Sequence, residues 1–467
     1  MKTKLYNNNQ SKTIDQLAAQ NLDTSSYELM HSAGQAIFQH IKNHPRVLVI
    51  TGPGNNGGDG WVVAELARLN GQDVTLWALK SSDKLSGDAK NAAKDCQVPA
   101  TLNQPNEHYS EHYDVIIDAV FGSGLNKTIT GVYADAIDWI NKQTTTVISV
   151  DMPSGLNGDT GQVMGHAVKA KQTLAILTHK PGHFTLSGKD LCGKITLETL
   201  NVDTNSFNLL PATAELLHES QLNHLITARQ HNSHKGSFGH VWAAGGQAGM
   251  MGAVQLAAFA ILKSGAGAVT AVTDAQHSVT IPLQHPEVMT HGYDETHGEL
   301  PQKPADVLAI GMGMGQSTWS KSLFNELINL PALKSIPKVI DADGLSLLEP
   351  TQLTSQDVIT PHPLEAARLL NSSVQEVQTD RLKAAQKLNE KYQAAVVLKG
   401  SGTIICDTNG VYLCPYGSDA LATAGSGDVL AGMIAGLMAQ GHGAIQAAQL
   451  AVLWHAITGE KSRIRIC

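Results

Sequence analysis

TGPGNNGGDGWVVAEL, residues 51–66, is the stretch on which the reading of the fold turns. It closes an apolar run, RVLVIT (46–51), passes through a loop of five glycines and opens a helical pattern, GWVVAELARLN (60–70). Glycines permit positive φ and let a backbone approach a ligand closely. Unpaired N–H groups in such a loop and at the following helix start favour an anion such as a diphosphate. The spacing is neither GxGxxG nor a Walker loop, and a plain tight turn also uses glycines, so the loop marks a candidate site without naming its chemistry.

Working outward, DVTLWAL (73–79), DVIIDAV (114–120), TVISVDM (146–152) and TLAILT (173–178) are short apolar runs closed by Gly, Asp or Pro and separated by helical patterns. This is the rhythm of a parallel, doubly wound sheet. Residues 11–42 upstream carry helical periodicity. Residues 201–230 break the rhythm, which puts a boundary near 215–225. Beyond it HVWAAG, GAVTAV, DVLAIG, KVIDAD, DVITP, AAVVLKG, TIICD and VYLCP resume the alternation. The chain therefore reads as two tandem α/β domains, 1–215 and 225–467.

Composition sets the limits. The 467 residues allow two to three domains. With 42% apolar and 16% charged residues, global disorder is excluded, and 33 Lys+Arg against 41 Asp+Glu argues against a general nucleic-acid binder. Glycine at 43 residues and aromatics at 5% suit α/β domains better than a β-sandwich. No apolar run reaches membrane-spanning length, and MKTKLYNNNQSKTIDQLAAQ lacks the apolar centre of a secretory signal. Cys96, Cys192, Cys406, Cys414 and Cys467 show no CxxC spacing, which favours reduced thiols in a cytoplasmic compartment over disulfides or zinc.

In an open parallel sheet the carboxyl ends of the strands share one edge, where ligands bind. Asn56, Asp118, Asp151 and Ser154 should therefore converge near the glycine-rich loop. Either carboxylate alone could serve only to cap a helix. Amide, carboxylate and hydroxyl oxygens together suit a hard cation, not zinc.

GPGNNGGDG, DAVFGSGL and VDMPSGLNGDTG, in that order, resemble the NAD(P)H-hydrate epimerase domain over residues 10–210. The resemblance implies a Rossmann-like domain with a bound potassium ion held by Asn56, Asp118 and Ser154. It implies a nucleotide site lined by Asn55, Asn56, Gly57, Gly58 and Asp59 and by Gly122, Ser123, Gly124, Leu125, Asn126, Lys127 and Thr128, with Asp151 as catalytic carboxylate. The implied reaction interconverts the R and S forms of a reduced nicotinamide to whose ring water has added.

In the second half GSGD (425–428) directly precedes a helix of small residues. Backbone N–H groups of residues 425–427 can face a phosphoryl oxygen, and Asp428 stands where a base can reach an attacking hydroxyl. An aspartate in a first turn can also serve the helix dipole alone. KGSGT (399–403) is a strand-to-strand turn rich in donors, GMGMG (311–315) follows a strand, and His362 is held between two prolines, where a purely structural role is equally open.

HKGSFGHVWAAGG, GMGMG, DADGL, TPHPLEAARLL, VLKGSGT and TAGSGDVLAGMIAGLMAQG together resemble the nicotinamide-hydrate dehydratase domain, of ribokinase-like fold, over residues 225–460. The fusion looks like the bifunctional NAD(P)H-hydrate repair family. The resemblance implies Ala253, Gly313, His362 and Asp428 at the hydrate, with Asp428 catalytic. Lys399, Gly400, Ser401, Gly402, Thr403 and Gly427 would lie at the adenine nucleotide, with Mg2+ and ADP as cofactors. Bacterial members typically use ADP and eukaryotic ones ATP, and the motifs leave that open. The expected partners are NADHX, NADPHX and ADP, with no nucleic acid and no membrane, and the chain is expected to form a homo-oligomer.

Three departures carry expectations of their own. Leu364 stands where the family usually has Gly, and its bulk is expected to disturb the His362 loop. Ser346 replaces a common Asn, a minor change. WHAITGEKSRIRIC ends the chain without the usual further small-residue and acidic stretch, which is expected to weaken the dehydratase core. The rival readings are a ribokinase-like small-molecule kinase with a nucleotide-binding N-terminal domain and a non-catalytic nucleotide-sensing module. A hydride-transferring dehydrogenase is disfavoured because neither half has GxGxxG after its first strand.

Overall fold

The computed structural model describes residues 3–102, 113–203, 207, 210–225 and 230–463. It divides into two compact units, one of residues 3–215 and one beginning at Leu216.

The first unit is built on a seven-stranded parallel sheet. Its strands run in the order Ala100–Thr101, Asp73–Ala78, Arg46–Thr51, Val115–Ala119, Thr146–Val150, Gln172–Ile176 and Lys194–Glu198. The strands at 46, 73, 115, 146 and 172 are those read from the apolar runs; the two edge strands, short or half-buried, gave no such signal. Alternate residues of each central strand feed opposite faces. Val47, Val49 and Ile117 pack with Ile37, Ile41 and Val63 of the helices on one side. Leu48, Ile50 and Ile116 pack with Ile137, Trp139 and Ile140 on the other. Strand order reverses between Arg46–Thr51 and Val115–Ala119, which opens a crevice at their carboxyl ends.

The glycine-rich stretch departs from the loop expected. The helix begins at Asn55, directly after Gly54, and runs to Leu69, so NNGGDG forms its first two turns. The glycines are there for packing. A β-carbon on Gly57 would lie 2.1 Å from the Gly52 carbonyl oxygen, and one on Gly60 would lie 2.7 Å from the Ala119 β-carbon.

In the second unit the described strands run Met289–Tyr293, Ala268–Asp274, His240–Ala244, Val307–Ile310, Lys338–Ile340, Val358–Ile359 and Ala395–Leu398, all parallel. Ile404–Asp407 and Gly410–Leu413 follow antiparallel. The order again reverses, between His240–Ala244 and Val307–Ile310. Helix Ser426–Ala439 lies against helix Met251–Lys263 through glycines four apart. A β-carbon on Gly432 would meet the Ala257 carbonyl at 2.4 Å, and one on Gly436 the Ser264 hydroxyl at 2.0 Å. The last helix, Ala444–Arg463, takes in WHAITGEKSR and adds Ala447, Leu450 and Leu453 to this unit's core. Residues 464–467, the end of the basic tail, lie outside the described residues. No described helix is long and apolar enough to cross a membrane.

Candidate active sites

Asp151 follows the strand Thr146–Val150 with φ 62°, a left-handed conformation that costs a residue bearing a β-carbon and persists only where its surroundings fix it. Here every polar group is tied. Its N–H bonds the Leu174 carbonyl at 2.8 Å, and its carbonyl accepts from His183 Nε2 at 2.9 Å. Oδ2 accepts the Ser123 N–H at 3.0 Å. Oδ1 accepts the Ile176 N–H at 3.4 Å and the Lys180 ammonium. Lys180 is 1% exposed, and its remaining protons go to the carbonyls of Ile176 (3.3 Å) and Thr178 (3.0 Å). His183 Nδ1 accepts the Lys180 N–H at 3.1 Å, which leaves the proton on Nε2. Burial, reinforced by the Lys180 charge, pushes that imidazole down to about 3, so it stays neutral. Burial acts to raise the Asp151 carboxyl, but the charge and hydrogen bond of Lys180 outweigh it and hold the group below the ordinary carboxylate range.

A cavity of about 730 Å³ opens on this pair. Asn55, Asn56, Asp59 and residues 122–128 line it, as the motifs imply; Gly57 and Gly58 are buried in the helix and do not. Gly122 must be glycine, since a β-carbon would stand 2.9 Å from Asn56 Oδ1 and 3.2 Å from Asp151 Oδ2. Ser11, Lys12, Asp15 and Lys180 also line the cavity. No motif in the sequence singled them out, although Lys180 lies just past the strand 172–176 on the edge where the strand-end rule places ligands.

Asp118 and Ser154 meet beneath the loop. Asp118 Oδ2 accepts from the Ser149 hydroxyl (2.7 Å) and the Ser154 N–H (2.9 Å), and Oδ1 accepts from the Ser154 hydroxyl. Ser154 Oγ in turn accepts the Phe121 N–H at 2.8 Å. Asp118 is fully buried and burial raises its carboxyl, while hydrogen bonds from Ser154, Ser149 and Val120 oppose the shift. Asn56 Nδ2 is buried with no partner among the described residues. A fully buried carboxylate beside a serine hydroxyl supplies hard oxygen donors of the kind a monovalent cation takes.

In the second unit Asp428 occupies the first turn of Ser426–Ala439, whose cap Gly425 has φ 87°. Burial pushes its carboxyl up to about 6; Asp341, Asp343 and Glu365 add to the shift and Lys399 opposes it. Lys399 donates to Asp341 Oδ1 at 2.7 Å and stands 4.0 Å from Glu365 Oε2. Burial would lower its ammonium, but Asp341 and Glu365 outweigh that and raise it. The Thr360 hydroxyl holds the same Asp341 oxygen at 2.7 Å. A β-carbon on Gly427 would lie 3.3 Å from Lys399 Nζ and 3.8 Å from Asp341 Oδ2, so helix start, lysine and aspartate share one point. The surplus of carboxylates over ammonium there fits a divalent cation brought in with a polyphosphate.

His362 caps helix Pro363–Leu370. Its Nδ1 accepts the N–H groups of Leu364 (3.1 Å) and Glu365 (3.3 Å), and its Nε2 stands 3.3 Å from Glu365 Oε1. The structural role left open by the sequence is thus filled: both ring nitrogens of His362 are engaged within its own helix start. Leu364 turns outward: it is 44% exposed, and its N–H donates to His362 Nδ1, so its bulk does not open the cap. Gly313, with φ 60°, adjoins Ala253, whose β-carbon would lie 2.9 Å away from one on Gly313. Leu256, one turn beyond Ala253, lies against Gly425.

The 399–403 turn rests on Arg381, which no sequence signal disclosed. Arg381 is 1% exposed, and Nη2 donates to the carbonyls of Leu398 (3.2 Å), Lys399 (3.3 Å) and Gly402 (3.3 Å). Burial pushes its guanidinium down to about 10. At Gly400, φ 139°, a β-carbon would be 2.3 Å from Arg381 Nη1.

A family model for NAD(P)H-hydrate dehydratase matches residues 241–464, and one for the YjeF-related protein N-terminus matches residues 26–182. The chain is 38% identical to the bifunctional NAD(P)H-hydrate repair enzyme of Coxiella burnetii, with 98% of this chain and 95% of that protein covered. It is 36% identical to the enzyme of the same description from Vibrio cholerae, with 97% and 92% covered. Among solved structures it is similar to the ADP/ATP-dependent NAD(P)H-hydrate dehydratase of Bacillus subtilis, co-crystallised with ATP and Mg2+. That likeness has a TM-score of 0.48 and 27% identity and covers 53% of this chain and 89% of that one.

Proposed function

Since the chain belongs to the family of bifunctional NAD(P)H-hydrate repair enzymes, we propose that it mends hydrated NADH and NADPH with two divided sites. Residues 1–215 interconvert the R and S hydrates, and residues 225–467 dehydrate the S form at the expense of ADP. Supporting this division, each unit gathers its own carboxylate at the carboxyl edge of its own sheet, Asp151 in one and Asp428 in the other.

In the first site Asp151, kept ionised by Lys180 and oriented by the Ser123 and Ile176 amides, takes a proton from water adding at C6 of the nicotinamide ring. Asn56, Asp118 and Ser154 would hold potassium, which would balance the buried Asp118 charge. Asn55, Asp59 and residues 122–128 receive the nucleotide.

In the second site Asp428 removes the proton of the C6 hydroxyl, and that oxygen attacks the terminal phosphorus of ADP. The phosphoanhydride bond breaks and AMP leaves. The ring nitrogen then expels phosphate from C6, and loss of a proton from C5 restores the reduced ring. The amides of residues 425–427 face the phosphoryl oxygens as charge develops. Lys399 and the Arg381-braced turn 399–403 hold the nucleotide, while Ala253, Gly313 and His362 hold the hydrate. Asp341 would hold magnesium, which would neutralise charge on the phosphates. The chain works in the cytoplasm, in keeping with four free thiols among the described residues, and as a homo-oligomer, which analytical ultracentrifugation would test.

The experiment uses the purified full chain with separated R and S hydrates, potassium, magnesium and either ADP or ATP, and follows the absorbance of reduced nicotinamide. Recovery of the S form with ADP, with release of free phosphate, and of the R form through prior epimerisation, is expected. A stable phosphate ester as product would make the second unit a kinase, and hydrates left untouched with either nucleotide would overturn the reading.

A further inference from the structure

The first helix belongs to no motif and lies outside residues 26–182, yet it forms one wall of the first cavity. Asn8–Asn21 starts from a capping box on Asn7, with the Gln10 N–H on Asn7 Oδ1 and the Asn7 N–H on Gln10 Oε1, both at 2.9 Å. Among the contacts that pin it, two lie in its first turn. The Asn8 N–H bonds Asp159 Oδ1 at 2.7 Å, and the Ser11 hydroxyl meets the Thr178 hydroxyl at 3.0 Å, two residues before Lys180. Asp15, one turn beyond Ser11 on the same helix face, lines the cavity that Asp151 and Lys180 also line.

What surrounds Asp15 is unlike what surrounds Asp151. The charges facing it are Lys180 and Asp151 from the strand ends, Asp59 from helix Asn55–Leu69, Lys127 from the loop above, and Lys12 on its own helix. Lys180 is committed through all its protons to Asp151 and two carbonyls. Among the described residues no hydrogen bond stabilises the Asp15 carboxylate, and burial lifts it to about 6, with Lys180 opposing and Asp151 adding. Asp59 is raised well above its ordinary range by burial, Asp151 and Asp15. One cavity thus holds a carboxylate kept as the anion beside a carboxyl that gives up its proton only near pH 6, the arrangement by which acid and base roles separate.

Epimerisation at C6 needs that division of labour, because hydroxyl must depart from one face of the ring and water arrive at the other. We propose that Asp15 is the second acid–base residue of the epimerase site, working as the partner of Asp151. The inference rests on the epimerase reading above. In one direction the Asp15 carboxyl protonates the C6 hydroxyl, the C6–O bond breaks, water leaves and the ring nitrogen donates its electron pair to form an iminium. Water then adds to the other face, and Asp151 takes its proton. One proton has passed from Asp15 to Asp151; exchange with water in the open cavity resets both groups for the next turnover, and the reverse reaction uses them in exchanged roles, so no oxidant or other co-reactant enters.

The test is Asp15→Asn and Asp15→Glu in the full chain, assayed on each purified hydrate. Asp15→Asn should lower epimerisation kcat by about 100-fold or more, with KM within about threefold. Its residual activity should lose the alkaline limb of the pH profile, and Asp15→Glu should recover part of the rate. Dehydration of purified S hydrate by the same preparations serves as the internal control. An Asp15→Asn chain that epimerises at full rate beside an equally active unsubstituted chain overturns this inference alone. So does a raised KM with unchanged kcat, or an Asp15→Glu chain no faster than Asp15→Asn. An unsubstituted chain that fails to epimerise sinks the parent reading instead.

Discussion

In the first unit the buried lysine is bound to the carboxylate proposed to react: Lys180 grips Asp151, and the acid is held as an anion despite its burial. In the second unit the lysine is bound to a neighbour of the proposed base. Lys399 grips Asp341, leaving Asp428 among carboxylates with its carboxyl raised to about 6. Both sites stand at the carboxyl edge of a parallel sheet where strand order reverses, and both combine aspartate, lysine and a glycine-bearing helix start. The choice of partner for one ammonium therefore sets which carboxylate is always ionised and which titrates near neutrality. An epimerisation that runs in both directions uses two carboxyl groups that exchange acid and base roles with direction. A one-way dehydration uses a base able to take a proton from a hydroxyl.

The comparison is broken most severely by Asp428→Asn. Removing the base of the second site should reduce dehydration by about 10²–10⁴-fold and leave epimerisation unchanged, as read by separating R and S hydrates in the absence of nucleotide. The converse cut is Lys180→Met. It strands a buried Asp151 without its cation, so the first unit should lose roughly 3–5 kcal/mol of stability, and epimerisation should fall while dehydration of purified S hydrate persists. Urea denaturation followed beside both assays checks this, and an Lys180→Met chain as stable as the parent would mean that Asp151 is not held by that charge.

The architecture was legible because buried parallel strands announce themselves as apolar runs. The five runs between 46 and 178 mark the central strands, and strand-end aspartates mark the site edge. The glycine loop was misplaced for a physical reason. Glycine is a poor helix former, so NNGGDG reads as a loop, whereas close packing on Gly52 and Ala119 overrides propensity and draws it into the helix. The partners of the reactive groups were not legible. Lys180 and Arg381 act through burial and through carbonyls contributed by distant segments, and a lone Lys or Arg in sequence is indistinguishable from a solvated one. Asp15 lay in an amphipathic helix with no motif, and only the Ser11–Thr178 contact reveals that its wall faces the cavity.

A smaller effect sharpens the role of the glycine turns. Arg381→Lys keeps the charge but loses the planar fork that spans three carbonyls. The 399–403 turn should then hold the nucleotide less well, raising the nucleotide KM about tenfold at nearly constant kcat. Steady-state dehydration at varied ADP reads this directly. A kcat loss without a KM change would place Arg381 with the reacting atoms instead.

The mildest test needs no substitution, because the two sites should answer pH with opposite slopes. Asp428 accepts a proton only when ionised, and its carboxyl is raised to about 6. Dehydration kcat/KM should therefore be flat above neutrality and fall as pH drops through 6, to roughly a quarter of its plateau at pH 5.5. Epimerisation relies on Asp151, held ionised well below that pH, and on protonated Asp15, raised to about 6. Its rate should hold or rise over the same interval and decline on the alkaline side. Stopped assays of the two reactions on one preparation between pH 5 and 8 compare the slopes without correcting for active protein. Parallel profiles would mean that the two lysines do not divide the carboxylates as their contacts indicate. Crossing profiles would tie each slope to one ammonium and its chosen partner.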